Sequence, residues 1–265
     1  MQDFAGRVAV VTGAGSGIGR AYAEALAGLD MHLVLADIDP ASLDGAAVAL
    51  PGARSITTTA VDVSDAAAVE ALAALAYDRH GAVHLLCNNA GVSVTRRILD
   101  ATVEDWQWLL GVNLWGVIHG VRAFVPRMIA GGDEGHVVNT ASIASWLVVP
   151  SYGVYAASKH AVAAITDALA AELTADGARI GVTAVCPSLV RTRLFSSERN
   201  RPEVLAGSGF DDTEQRRVDD ITEGIQTPAD VAATMIDAVR AGELWAFPNR
   251  ERLDLVRDRY ATILS

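Results

Sequence analysis

Tyr155-Ala-Ala-Ser-Lys159 sets a phenol and an ammonium four residues apart, and Ser142 adds a hydroxyl thirteen residues upstream. Residues four apart share one face of a helix, so a helix over Val154 to Ala168 puts the Lys159 ammonium beneath the Tyr155 ring. An unperturbed tyrosine titrates near ~10, too high for a base at neutral pH, and an adjacent positive charge lowers that value. A phenol tuned in this way can give and take one proton while the serine hydroxyl holds the reacting oxygen. That is the chemistry of an alcohol-carbonyl oxidoreductase. The spacing alone also suits a surface helix carrying an incidental tyrosine and lysine, so the surrounding chain has to decide.

Thr12-Gly13-Ala14-Gly15-Ser16-Gly17-Ile18-Gly19 follows the apolar run Val8 to Val11 and precedes a helical stretch through Leu26. The pattern is GxxxGxG at Gly13, Gly17 and Gly19; the widespread GxGxxG form fails because Ile18 occupies its third glycine position. Such a turn between strand and helix lets backbone approach a pyrophosphate, whose charge meets the free N–H groups at the helix start. The next strand, Leu33-Val-Leu-Ala-Asp37, ends on a carboxylate about twenty residues beyond the turn. A carboxylate there hydrogen-bonds ribose hydroxyls and repels a 2′-phosphate. Asp39-Pro40 already supplies a cap and a first-turn proline for the following helix, which leaves Asp37 without that task.

With Asp62 after the third strand, Asn88-Asn89-Ala90-Gly91 after the fourth, Asn113 in the next helix and Pro187 to Thr192 after the sixth, the chain resembles a short-chain dehydrogenase/reductase of the compact, single-domain type over nearly its whole length. The resemblance implies a Rossmann-type fold and a nicotinamide cofactor. It assigns Gly13, Ser16, Gly17, Ile18 and Gly19 to the phosphates, Asp37 to the ribose, and Asp62 and Val63 to the adenine ring. Asn89, Ala90 and Gly91 fall near the adenosine ribose and central strand, while Pro187, Val190 and Thr192 fall at the nicotinamide. Relatives preferring NADP carry a basic residue in the glycine turn or after the acid; Ala14 and Ile38 are neutral here, so NAD is expected. The catalytic set implied is Asn113, Ser142, Tyr155 and Lys159, with Asn113 opening its helix and anchoring a water that leads from Lys159 to solvent. Lys159 has a second implied task at the nicotinamide ribose. One departure is Ser188, where the family commonly has glycine.

Among 265 residues, 51% apolar with a net charge of −11, there is enough chain for one sizeable α/β core and little attraction for nucleic acid or an anionic membrane. No twenty-residue apolar span and no signal-like N-terminus are read, and Cys87 and Cys186 fall in apolar strand-like runs as reduced thiols, so a cytoplasmic location is expected. Six scattered histidines give no metal-ligand spacing, and no metal is expected. Strands are read near 7–12, 32–37, 55–61, 83–88, 135–141, 180–186 and 244–247, with helices between most of them. This alternation predicts a doubly wound, parallel, seven-stranded sheet with helices on both faces and ligand across the strands' carboxyl ends. The charged, glycine-bearing stretch from Arg193 to Gln226 breaks the alternation and reads as a lid.

Ser142, Trp146, Tyr155, Leu194 and Phe195 are the candidate substrate contacts, with Trp146 equally readable as core, and they suggest an apolar or aromatic small-molecule substrate. A weaker resemblance, carried by Phe124 to Ile129, Arg201-Pro202, Gly207 to Phe210 and Leu244 to Pro248, is to bacterial dehydrogenases of aryl-alkyl secondary alcohols, including lignin-fragment Cα-dehydrogenases. Hydroxysteroids and other bulky secondary alcohols remain alternatives. A nucleotide sensor without turnover is disfavoured by the intact catalytic set, and an epimerase by the short stretch from Ala229 to Ser265. Family resemblance also implies a homotetramer, or a dimer, with Ala-rich helices such as Val154 to Leu173 between subunits.

Overall fold

The structure, a computed structural model, describes residues 1–206 and 224–264. Seven strands form one sheet: β1 (Val8–Thr12), β2 (His32–Asp37), β3 (Ser55–Ala60), β4 (Leu85–Asn88), β5 (Gly135–Thr140), β6 (Ile180–Val185) and β7 (Trp245–Ala246). Every neighbouring pair is parallel, in the order β3-β2-β1-β4-β5-β6-β7. The helices are α1 (Gly17–Ala27), α2 (Pro40–Val48), α3 (Ala66–His80), α4 (Val103–Leu110), α5 (Gly116–Gly131), α6 (Gly153–Ala175), α7 (Pro228–Ala241) and α8 (Leu253–Leu264). The Rossmann-type architecture expected from the alternating pattern is therefore present, with strand ends shifted by at most two residues.

Side chains alternate across a strand, so β1 feeds two cores at once. Ala9 and Val11 join Leu33, Leu35 and Cys87 in a cluster with Tyr22 and Leu26 of α1 and Met235 of α7. Val8 and Val10 join Val34, Ala36 and Leu86 against Leu72 of α3 and Phe124 and Met128 of α5. A strand buried on both faces favours apolar residues along its length, and Val8 to Val11 supply them. The chain's progression reverses between β1 and β4, and this switch point opens a crevice at the strands' carboxyl ends.

A π-helical turn, Gly111–Trp115, fuses α4 and α5 into one helix of 29 residues. By length and composition this helix could cross a membrane, which the sequence reading missed because the two halves look separate. Half of its apolar window is buried inside the protein, where α5 contributes to the sheet-facing core. Cys87 and Cys186 are buried and unpaired. Among the described residues no group of three or more potential ligands gathers to hold a metal.

Candidate active site

The glycine turn is shaped by what lies behind it. Gly13 has φ +67, and a Cβ there would stand 2.8 Å from the Cα of Ala90. A Cβ on Gly19 would stand 2.1 Å from the carbonyl oxygen of Gly13, so Gly19 lets α1 pack on the turn and does not itself line the cleft. Ser16 precedes α1 in an extended conformation; its carbonyl accepts the Arg20 N–H at 3.2 Å, but its hydroxyl caps none of the N–H groups at the helix start. Across the turn, Asp37 accepts the Gly15 N–H at 2.8 Å and the Asp39 N–H at 3.0 Å. Asp39 is the cap of α2, accepting from Ala41 and Ser42, so Asp37 remains at the cleft. Asp62 accepts both the N–H and the hydroxyl of Ser64.

Thr12, at the end of β1, ties the loops together. Its hydroxyl oxygen accepts the N–H groups of Asn89 (3.0 Å) and Ala90 (3.2 Å), and its carbonyl accepts the Asn89 amide at 3.0 Å. Asn89 in turn accepts the Thr140 hydroxyl at 3.2 Å, so one side chain links β1, β4 and β5 at their carboxyl ends. The Asn113 amide donates to Val92 O (2.9 Å) and Ser158 Oγ (3.2 Å), and its oxygen accepts the Val92 N–H (2.8 Å). Asn113 sits in the π turn, where the regular helical ladder is interrupted. Its side chain does not line the cleft.

α6 carries Tyr155 and Lys159 one turn apart, and β5 delivers Ser142 opposite them. The Lys159 Nζ lies 5.7 Å from the centre of the Tyr155 ring, on the same helix face as expected. It donates to the Thr140 carbonyl at 2.7 Å. Burial, with 4% of the residue exposed, pushes the Lys159 pKa down to about 8. The Tyr155 phenol does not show the expected lowering: burial pushes it up to about 12, opposed by its hydrogen bond with Ser142. Loss of water outweighs the nearby ammonium here, because that ammonium is directed at Thr140 rather than at the phenol oxygen. At neutral pH the arrangement is a neutral phenol, a hydroxyl and an ammonium held together at one end of a cleft of about 500 Å³.

That cleft holds Gly13, Ser16, Gly17 and Ile18, then Asp37, Asp62 and Val63, then Asn89, Ala90 and Gly91, and finally Ser142, Tyr155, Lys159, Pro187, Val190 and Thr192. A family model described as short chain dehydrogenase matches residues 7–203. The chain belongs to the short-chain dehydrogenase family. A probable oxidoreductase, EphD, of Mycobacterium tuberculosis is 40% identical over 195 residues, covering 73% of this chain but only 33% of that longer protein. The 1-deoxy-11-beta-hydroxypentalenate dehydrogenase of Streptomyces exfoliatus is 34% identical over 258 residues, or 96% of this chain and 87% of the relative. Among solved structures, a short-chain dehydrogenase/reductase from Burkholderia phymatum in complex with NAD superposes with a TM-score of 0.94 at 40% identity, covering 99% of this chain and 96% of that one.

The substrate end of this short-chain dehydrogenase departs from expectation at one residue. Leu194 and Phe195 line the cleft, but Trp146 does not. Its ring packs edge-on against Trp245 at 5.1 Å and near Tyr260 of α8 at 6.5 Å, while Ile143, Ala144, Leu147 and Val149 face the cleft instead. A large indole gains more by burying its faces against β7 and α8 than by facing an open cleft. Trp108, Leu205 and Leu255 also line the cleft, and no local pattern in the sequence marked them. Ser188 does not adopt a positive φ, so the residue replacing the usual glycine leaves the loop unstrained. Its N–H donates to Gln226 Oε1 at 3.4 Å, and Val190 pairs with Gln226 as a parallel bridge. Of the stretch read as a lid, residues 193–206 and 224–226 are described and 207–223 lie outside the described residues.

Proposed function

We propose that this chain is an NAD-dependent dehydrogenase interconverting a secondary alcohol and a ketone, with an apolar, aromatic or otherwise bulky substrate. One observation carries the reading: a single cleft joins Asp37 and Asp62 beyond β2 and β3 to Ser142, Tyr155 and Lys159 beyond β5 and on α6. The groove between them fits a dinucleotide. A methyl at Gly13 would fill it toward Ala90, the start of α1 turns its N–H groups to the cleft lined by Ser16, Gly17 and Ile18, and Asp37 supplies a carboxylate for ribose hydroxyls. The same carboxylate repels a 2′-phosphate, which favours NAD over NADP. Asp62 and Val63 would flank the adenine, Asn89 to Gly91 the adenosine side, and Pro187, Val190 and Thr192 the nicotinamide.

A bound nicotinamide would supply the hydride chemistry that this chain's side chains cannot. Ser142 and Tyr155 hold the substrate oxygen between them. In ketone reduction the neutral Tyr155 phenol donates its proton to that oxygen; in alcohol oxidation the phenolate accepts it. Lys159, which donates to the Thr140 carbonyl, would hold a hydroxyl of the nicotinamide ribose and keeps a positive charge beside the Tyr155 ring. The Asn113 side chain is already engaged with Val92 and Ser158, so its part in relaying a proton from Lys159 would fall to its backbone in the π turn. Ile143, Leu147, Val149, Leu194 and Phe195 supply the apolar substrate surroundings.

We place the enzyme in the cytoplasm, as a homotetramer or dimer. Ala157, Ala164, Ala168 and Ala171 are exposed along α6 at spacings of three to seven residues, a flat face suited to a second copy. The test of function is the absorbance of NADH during incubation with NAD and a panel of aryl, steroid and aliphatic secondary alcohols. Turnover of bulky members is expected; silence across the panel with NAD bound overturns the reading.

A further inference from the structure

Part of the cleft wall is built from two pieces of chain distant in sequence. Trp108 belongs to α4, whereas Pro202 and Leu205 come from the segment after β6, at the start and end of the short helical turn Glu203–Leu205. Leu205 and Tyr155 pack against one apolar cluster that includes Val92, Trp108 and Val154. The wall is therefore continuous with the surroundings of the phenol.

A buried ion pair joins the two pieces. Asp105 is fully buried and Arg201 is buried on its side chain to 3% exposure. Arg201 Nη1 donates to Asp105 Oδ1 at 2.6 Å and to Glu198 Oε1 at 3.0 Å, and its Nε donates to the Leu205 carbonyl at 2.5 Å. Its guanidinium lies over the Trp108 ring at 5.0 Å. Arg96 holds the other Asp105 oxygen at 3.1 Å, and that oxygen also closes the Thr102 capping box at the start of α4. One guanidinium thus touches α4 through Asp105 and Trp108 and the returning segment through Glu198 and Leu205. A single short carboxylate would suffice to cap α4; the cap alone gives no reason to bury an arginine from 96 residues away.

We propose that the Asp105–Arg201 pair is a positioning device that fixes the Trp108–Pro202–Leu205 wall and so sets how well a bulky alcohol is held beside Tyr155. This rests on the dehydrogenase reading above. Removing Arg201 leaves the Asp105 carboxylate with Arg96 as its cation and the Thr102 N–H as a donor, and frees the Leu205 carbonyl, so the returning segment loses its register on α4. A small alcohol, needing only Ser142 and Tyr155, does not depend on that wall.

The test compares the wild type with Arg201→Met, Arg201→Lys and Asp105→Asn, using 2-propanol and 1-phenylethanol with NAD. Acetophenone binding by fluorescence quenching and NAD affinity by calorimetry are measured alongside. In Arg201→Met and Asp105→Asn, KM for 1-phenylethanol and Kd for acetophenone should rise about tenfold, the scale of losing one or two apolar contacts. The kinetics of 2-propanol and the NAD affinity should stay within about twofold. Arg201→Lys, which keeps the charge on Asp105, should recover part of the loss. Asp105→Asn, nearly isosteric, carries the test if Arg201→Met does not fold. Equal losses for both alcohols and for NAD would show a general structural role and overturn the proposal, as would unchanged aryl-ligand affinity. Absence of turnover with either alcohol in the wild type would count against the dehydrogenase reading, while the acetophenone affinities would still decide the role of the pair.

Discussion

Replacing Lys159 by Met should cost activity yet leave the fold no less stable, and the difference should depend on pH in a defined direction. The wild-type ammonium is buried, and its pKa falls from an ordinary 10.5 to about 8. Two to three units correspond to about 3 kcal/mol of destabilisation while both folded and unfolded chains carry the proton. Methionine removes that charge. It also removes the 2.7 Å bond to the Thr140 carbonyl, and an unsatisfied buried acceptor costs about 1–3 kcal/mol. The two contributions nearly cancel at pH 7, so the variant should match or exceed the wild type in urea by up to about 2 kcal/mol. Between pH 8 and 10.5 the unfolded wild type binds the proton and the folded wild type does not, so wild-type stability rises with pH across that window. Any advantage of the variant should therefore shrink by about 1.4 kcal/mol per pH unit above pH 8, about 2 kcal/mol by pH 9.5. The Tyr155 titration, raised to about 12, affects stability only above pH 10 and lies outside this range. Urea unfolding of both proteins at one protomer concentration, at pH 7.5 and 9.5, measures the difference. A pH-independent difference would mean that Lys159 keeps an ordinary ammonium pKa, and the burial argument would be wrong.

Three further perturbations address the proposed site. Tyr155→Phe removes only the phenol hydroxyl and should lower kcat by about 10²–10⁴-fold with NAD affinity kept; more than a tenth of wild-type turnover would count against proton transfer by this residue. Asp37→Asn keeps the side-chain shape but loses the charge, so kcat/KM with NAD should fall about tenfold while that with NADP rises; an unchanged NAD-to-NADP ratio would remove Asp37 from the ribose. Gly13→Ala places a methyl 2.8 Å from the Ala90 Cα at φ +67, a strain and overpacking of about 2–5 kcal/mol. A lowered melting temperature together with weakened NAD binding is expected, and a variant that melts and binds like the wild type would disprove the close approach.

Local spacing made much of this protein legible before any coordinates. Strand residues alternate, so Val8 to Val11 could be read as buried on both faces, and a period near 3.6 put Tyr155 and Lys159 on one face of α6. The GxxxGxG spacing with Asp37 a strand later marked the groove proposed for a dinucleotide for the same reason: turn, strand and helix periods are properties of adjacent residues. The same reading stopped where direction and distance mattered. Trp146 lies in sequence between Ser142 and Tyr155, yet its ring turns to Trp245 and Tyr260, which β7 and α8 bring from about 100 residues further along the chain. Lys159 was expected to favour the phenolate, but the depth of burial and the Thr140 carbonyl, which only the packed β5 presents, decide its electrostatics. Asp105 and Arg201 meet across 96 residues, and no short-range period encodes a pair whose partners are brought together by loop closure. Sequence periodicity determined which elements form and which faces they bury; tertiary packing determined where side chains at their ends point and how far their charges are removed from water.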